Sequence, residues 1–239
     1  MIRFAIISAF CLTLTYGQQL PFQIGEKLEY TARFNILPVG EALLAVVGRE
    51  QIDSVSTYHI RYQARTGNVA DRIFKIRDNI DIWFDDQQMY TYRVDKNINE
   101  GPYHRKSSTY INYRDSIAVI GKDTISISKP VRDPYSLFYY LRSQPLTIGN
   151  TLQLVTFDNK KQTDFQLKVI GKQKLQVPAG TFSCLVVKPF RKQRALFKNQ
   201  GDIEVWLSDD KRRLPVQIHI KLKYGSLVLK LKQATSLSP

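Results

Sequence analysis

Lys27-Leu28-Glu29-Tyr30-Thr31-Ala32-Arg33-Phe34-Asn35-Ile36 is the stretch on which the fold turns. Leu28, Tyr30, Ala32, Phe34 and Ile36 occupy every second place, and Lys27, Glu29, Thr31, Arg33 and Asn35 fall between them. An extended chain with that pattern has one dry face and one wet face. The same alternation recurs further on, where Tyr58, Ile60, Tyr62 and Ala64 are interleaved with His59, Arg61, Gln63 and Arg65. Comparable runs predict strands near 41–50, 76–85, 89–97, 105–113, 117–120, 124–128, 151–158, 163–171, 181–189, 202–208 and 214–233. Short turns separate them, so sequential antiparallel pairing is the economical topology.

Two hairpins can be registered by requiring a single apolar face. A Tyr224-Gly225 loop sets Leu222 opposite Leu227, Ile220 opposite Leu229 and Ile218 opposite Leu231. His219, Lys221, Lys223, Lys230 and Lys232 then lie on the other side. A Gly121-Lys122-Asp123 loop sets Val119 opposite Ile125 and Ile117 opposite Ile127. One helix is well marked: Asp133 is a good N-cap, Pro134 suits the first helical position, and Tyr135 to Arg142 follow before Pro145 forbids continuation. Its surface is greasy nearly all round, which requires cover on most sides. The expected fold is therefore mainly β: a curved antiparallel sheet or open half-barrel, with this apolar helix and a short helical turn near 69–74 against its concave face. No repeat, low-complexity tract or linker divides residues 18–239, which are read as one β-rich domain.

Met1-Ile2-Arg3, the apolar run Phe4 to Leu14 and Thr15-Tyr16-Gly17 have the layout of a signal peptide, residues 1–17, cut after Gly17. Acylation at Cys11 is disfavoured by the bulk of Phe10 before it. No later run approaches the ~20 apolar residues of a membrane span. The expectation is a soluble exported protein of the periplasm or envelope. Cys184, the one cysteine beyond that segment, alternates with Phe182 and Val186 and reads as a small buried hydrophobe.

The net charge of +14 is unevenly spread: residues 18–158 hold 17 Lys/Arg against 16 Asp/Glu, and residues 159–239 hold 17 against 5. So lopsided a field favours an anionic partner near the C-terminal third. In an exported protein that means lipid headgroups, an anionic glycan or an acidic protein, and no nucleic acid; the oligomeric state is not legible.

Gly25-Glu26-Lys27-Leu28-x-Tyr30, Asp133-Pro134-Tyr135-Ser136-x-x-Tyr139-Tyr140-Leu141-Arg142, Val177-Pro178-Ala179-Gly180-Thr181-Phe182, and Trp206-Leu207-Ser208-Asp209-Asp210 followed by Leu214-Pro215-Val216 occur in that order. Together they resemble the domain-of-unknown-function 3108 family of exported bacterial proteins. That resemblance implies no activity and brings no functional residues. The Trp206 to Val216 hairpin also looks like one in the periplasmic lipoprotein carriers, whose curved sheet wraps an apolar cavity for acyl chains. The second likeness is architectural.

Signatures of catalysis and metal binding are missing: there is no Gly-x-Ser-x-Gly, no phosphate-binding Gly-x-x-x-x-Gly-Lys, no His-Glu-x-x-His and no Cys-x-x-Cys. No cofactor is implied. His59, His104 and His219 are far apart and fall on wet faces. Asp78 shares the dry face of Ile76, Ile80, Ile82 and Phe84, so it needs a partner, and Arg142 at the end of the helix is the candidate for a structural ion pair. The apolar tip Ile36-Leu37-Pro38-Val39 is expected to fold back on the core.

Two functional readings follow. In one, Leu137, Phe138, Tyr140 and Leu141 line a site for an apolar or lipid-like ligand, while His219, Lys221, Lys223, Lys230 and Lys232 meet anionic headgroups. In the other, the helix plugs the sheet and the basic face binds an acidic protein or glycan. A large internal pocket favours the first and a filled core the second.

Overall fold

The computed structural model describes residues 20–190 and 200–235; the segment read as a signal peptide, with Cys11, lies outside them. The alternating runs form one antiparallel sheet of 14 strands. In chain order these are β1 (Lys27–Phe34), β2 (Leu37–Ile52), β3 (Val55–Thr66), β4 (Arg77–Asp85), β5 (Thr91–Glu100), β6 (Tyr103–Asn112), β7 (Ile117–Ile120) and β8 (Asp123–Ser126), followed by β9 (Thr151–Asp158), β10 (Lys161–Val177), β11 (Gly180–Phe190), β12 (Gln200–Ser208), β13 (Pro215–Leu222) and β14 (Gly225–Thr235). Two meanders, β1 to β8 and β9 to β14, are joined where β1 pairs with β14, so that β8 and β9 are the outer strands. The sheet curves without closing into a barrel. Bulges at Glu29/Tyr30, Ala32/Arg33 and Val46/Gly48 add local twist and bend beside the junction.

The dry faces of both meanders build one core. Leu28, Ile60, Ile80, Ile82 and Phe84 come from the first, and Leu154, Leu185, Leu207, Val216 and Leu231 from the second. Helix α2 (Leu137–Ser143) lies in this core, whereas α1 (Asn68–Asp71) buries none of its residues. A smaller cluster of Ile111, Ala118, Ile120, Ile127, Val131 and Phe157 packs near the outer strands.

The two predicted registers are corrected. In the β13–β14 hairpin the loop is Lys223-Tyr224, with Leu222 opposite Gly225, Ile220 opposite Leu227 and Ile218 opposite Leu229. Partners move by two residues, a full pleat, so the same side chains stay dry. Gly225 belongs to the strand because Asn35 and the Phe34 ring press on its Cα, and an added Cβ would lie 2.7–2.8 Å from them. In the β7–β8 hairpin the loop is Gly121-Lys122, which sets Ala118 opposite Ile125 and Ile117 opposite Ser126. A one-residue slip exchanges the faces, so Ala118 and Ile120 are buried in place of Ile117 and Val119. Gly121, at φ 60°, stands first in the two-residue loop, where a type II′ turn requires positive φ.

Gly40 marks the closest backbone approach. A Cβ there would fall 2.1 Å from the Arg65 carbonyl oxygen on the neighbouring strand. That obstacle is main chain and cannot swing aside. Gly40→Ala should therefore lower stability by ~1–3 kcal/mol, measured by urea unfolding; an unchanged midpoint would refute the close approach.

Candidate functional site

The concave face is occupied. Asp133 caps the segment leading into α2, its Oδ1 accepting from the N–H groups of Tyr135 (2.7 Å) and Ser136 (3.1 Å). The helix presents Tyr139, Leu141 and Arg142 to the interior. Leu137, Phe138 and Tyr140 are half-buried and packed against the same core. Of the expected lining set Leu137, Phe138, Tyr140 and Leu141, only Leu141 is fully buried. Tyr140 lies on the flank, where the Arg132 guanidinium covers its ring at 3.6 Å, and Tyr139 is the tyrosine inside. The Tyr139 ring meets Phe22 edge-on at 4.8 Å and Phe84 at 6.0 Å. Side chains fill the space between helix and sheet around these rings.

The expected Asp78–Arg142 ion pair does not form. Arg142 is joined to Glu26, with Nη1 2.5 Å from Oε1 and Nη2 2.7 Å from Oε2. Its remaining donors reach the Pro21 carbonyl at 2.6 Å and the Arg212 carbonyl at 3.0 Å. Arg142 prefers Glu26 because four of its N–H groups are satisfied there at once, which a buried guanidinium requires. Asp78 instead accepts from the Asn99 N–H at 2.9 Å and is hydrogen-bonded to Glu100.

On the convex face, cross-strand partners His59, Trp83, Arg93 and Tyr110 form a row. The His59 and Trp83 rings stack at 4.4 Å, and the Arg93 guanidinium lies 4.7 Å from the Trp83 ring and 5.0 Å from Tyr110. His59 was expected to be wet but is buried by its neighbours, with Nε2 2.7 Å from Asp81 and Nδ1 3.0 Å from Glu50. Both ring nitrogens face carboxylates, and no group of three or more potential metal ligands occurs among the described residues. Cys184 is buried, and burial pushes its thiol up to about 11, away from thiolate chemistry.

A concavity of about 510 Å3 opens on the same face beside Glu41, Gln63, Arg65, Asn79 and Lys232. Three of its charges pair with one another: Glu41 binds Arg65 at 2.7 Å and Lys232 at 2.8 Å. Lys232 is thus removed from the set of free surface cations. His219 packs near Trp206, their rings 6.5 Å apart. Lys221, Lys223 and Lys230 make no ion pair with another described residue, and the Lys223 ammonium lies 4.8 Å from the Tyr224 ring. In the apolar tip of the β1–β2 hairpin Val39 packs against the core, but Ile36 and Leu37 do not fold back and are 81% and 63% exposed.

The model of the family described as "Protein of unknown function (DUF3108)" matches residues 29–232. This chain belongs to the DUF3108 family. Its fold is similar to that of a β-barrel-like protein of domain of unknown function DUF1849 from Brucella abortus. The TM-score is 0.62 at 9% identity, over 91% of this chain and 99% of that one. A protein described as a lipoprotein, from Parabacteroides distasonis, matches with TM-score 0.41 and 13% identity over 90% and 98%. One described as exported, with a YmcC-like fold, from Bacteroides fragilis, gives 0.39 and 12% over 91% and 98%. No curated protein is significantly similar in sequence.

In this DUF3108 chain the Asp78–Glu100 pair provides a test by pH. Burial raises both carboxyls above the ordinary range, and the charge and hydrogen bond of Asp78 raise Glu100 further, while the Asn99 N–H pulls Asp78 partly back. A carboxyl whose folded pKa exceeds its unfolded value contributes stability below the unfolded value of ~4. That contribution is lost as pH climbs through the folded value. Glu100→Gln should therefore be more stable than the parent at pH 7, with the difference closing by pH 4. Equal unfolding midpoints at both pH values would refute the shared site.

Proposed function

We propose that this is an exported, non-enzymatic envelope protein that works through its outer surface and binds an anionic partner with the β13–β14 hairpin. The observation that carries this reading is the placement of Lys221 and Lys230 on one side of the hairpin and of Lys223 at its tip, with no carboxylate partner among the described residues. Cations left unpaired on one face project an attractive field on an incoming polyanion. The filled concave face supports the same reading over a carrier cavity, because Tyr139 and Leu141 occupy the place where an acyl chain would lie.

Lys221→Glu with Lys230→Glu should cut retention on immobilised heparin at least tenfold while the unfolding midpoint stays near the parent's. Reversal of outward charges removes little packing. Parent retention should fade as salt rises, because attraction between exposed charges is screened beyond ~8 Å at physiological ionic strength. A parent that passes unretained at low salt, or a variant retained like the parent, would dismiss the proposal.

A further inference from the structure

In an antiparallel meander alternate connections share an end of the sheet, and here the two ends differ in chemistry. One end carries Asp53-Ser54, Asp85-Asp86-Gln87-Gln88 and Asp209-Asp210-Lys211-Arg212, the polar turns usual where chain meets water. At the middle of the other end, four connections lie side by side. The β1–β2 and β13–β14 tips are tied by the Asn35 N–H to the Ser226 carbonyl at 2.8 Å and by the Ser226 N–H to Asn35 Oδ1 at 2.9 Å. Next to them, the Gly67 N–H reaches the Val39 carbonyl at 3.0 Å, which places the α1 segment between β3 and β4 beside β2. The Gly101 N–H of the β5–β6 turn bonds the Lys75 carbonyl at 2.8 Å, and the Phe74 ring covers Gly101.

Each of three connections holds out an apolar side chain: Ile36 is 81% exposed, Ile73 87% and Tyr224 78%. Cations flank them. Arg33, Arg72, Lys75, Lys221 and Lys223 are exposed and make no ion pair with another described residue. The acids nearby are engaged, Asp71 with Arg77 and Thr66, and Glu100 with Asp78.

We infer that this end of the sheet docks on an anionic lipid bilayer, with Ile36, Ile73 and Tyr224 entering the interface and the flanking cations meeting the headgroups. The inference rests on the anionic-partner reading above and names the partner. Charge complementarity selects a negative surface, and the apolar tips select lipid over a soluble polyanion. Leu37, Val69 and Phe74 are exposed beside them, and connections two strands apart are roughly 10 Å from one another, so the apolar groups are spread along a curved rim. A fluid interface accepts apolar anchors spread along a rim with basic neighbours. Tyr suits that boundary because its ring is apolar and its hydroxyl stays wet.

The test uses vesicles of phosphatidylglycerol with phosphatidylethanolamine, vesicles of phosphatidylcholine alone, and immobilised heparin. Ile36→Ser with Ile73→Ser should lose at least tenfold in co-sedimentation with the anionic vesicles and keep its heparin retention. Removal of a single cation, Lys223→Ala, should cost about fivefold. Ile36→Trp should shift its emission to the blue and be quenched by brominated acyl chains; Trp83 and Trp206 are buried, so the change reports the new indole. A parent that binds heparin but no vesicle, or an Ile36→Ser with Ile73→Ser variant that binds vesicles like the parent, or an unquenched Ile36→Trp, would overturn the bilayer inference and leave the anionic reading standing. A parent that binds neither heparin nor vesicles would remove both.

Discussion

Arg142→Met should destabilise the protein by ~3–5 kcal/mol, because it leaves the Glu26 carboxylate buried without its counter-charge. The Arg142 side chain is 1% exposed and that of Glu26 6%, so water cannot replace the lost partner. The loss also unties three segments, since the guanidinium holds the Pro21 carbonyl before β1, the Arg212 carbonyl between β12 and β13, and α2 itself. Glu26→Leu combined with Arg142→Met should recover most of the stability, because an apolar pair of similar volume carries no desolvation cost. Urea unfolding of the two single variants and the double variant yields the coupling directly. An Arg142→Met protein within ~1 kcal/mol of the parent would place this pair at the surface and contradict its role in docking the helix.

The second large effect is expected at Tyr139. Tyr139→Ala should cost ~3–5 kcal/mol, the usual range for deleting a fully buried aromatic side chain. It would empty the place between Phe22 and Phe84 where the helix meets the sheet. Tyr139→Phe separates the ring from its hydroxyl. That hydroxyl is buried and has no hydrogen-bond partner among the described residues. An unpaired buried hydroxyl is unfavourable, so Tyr139→Phe should leave stability unchanged or raise it by ~1 kcal/mol. A loss of that size would show that the hydroxyl is bonded in solution.

Much of the sheet was legible because a strand with one buried face must alternate, and the alternation of Leu28 to Phe34 or Tyr58 to Ala64 needs no knowledge of its neighbours. The helix was legible for a similar reason, since Asp133 and Pro134 act on the backbone beside them, although they open a turn and the helix itself begins at Leu137. Registers were harder. They depend on which residues the turn consumes, and at Gly225 that was settled by Phe34 and Asn35 of a distant strand. The site was the least legible. Glu26 stood in a quoted motif, yet nothing in its spacing points to Arg142, 116 residues away.

The sequence by itself determined the mainly β class, the wet and dry faces of most strands though not of β7, the apolar helix and the outward lysines of the last hairpin. These are properties of a few adjacent residues and of the period of the chain they occupy. Only the tertiary structure decided that Tyr139 and not Tyr140 faces inward, that Arg142 takes Glu26 and leaves Asp78 to Glu100, and that Lys232 is held by Glu41. It also decided that Ile36, Ile73 and Tyr224, spread over most of the chain, stand along one rim. The reason is physical: burial and pairing depend on which groups the folded sheet brings within a few ångströms, and that distance is not set by separation along the sequence.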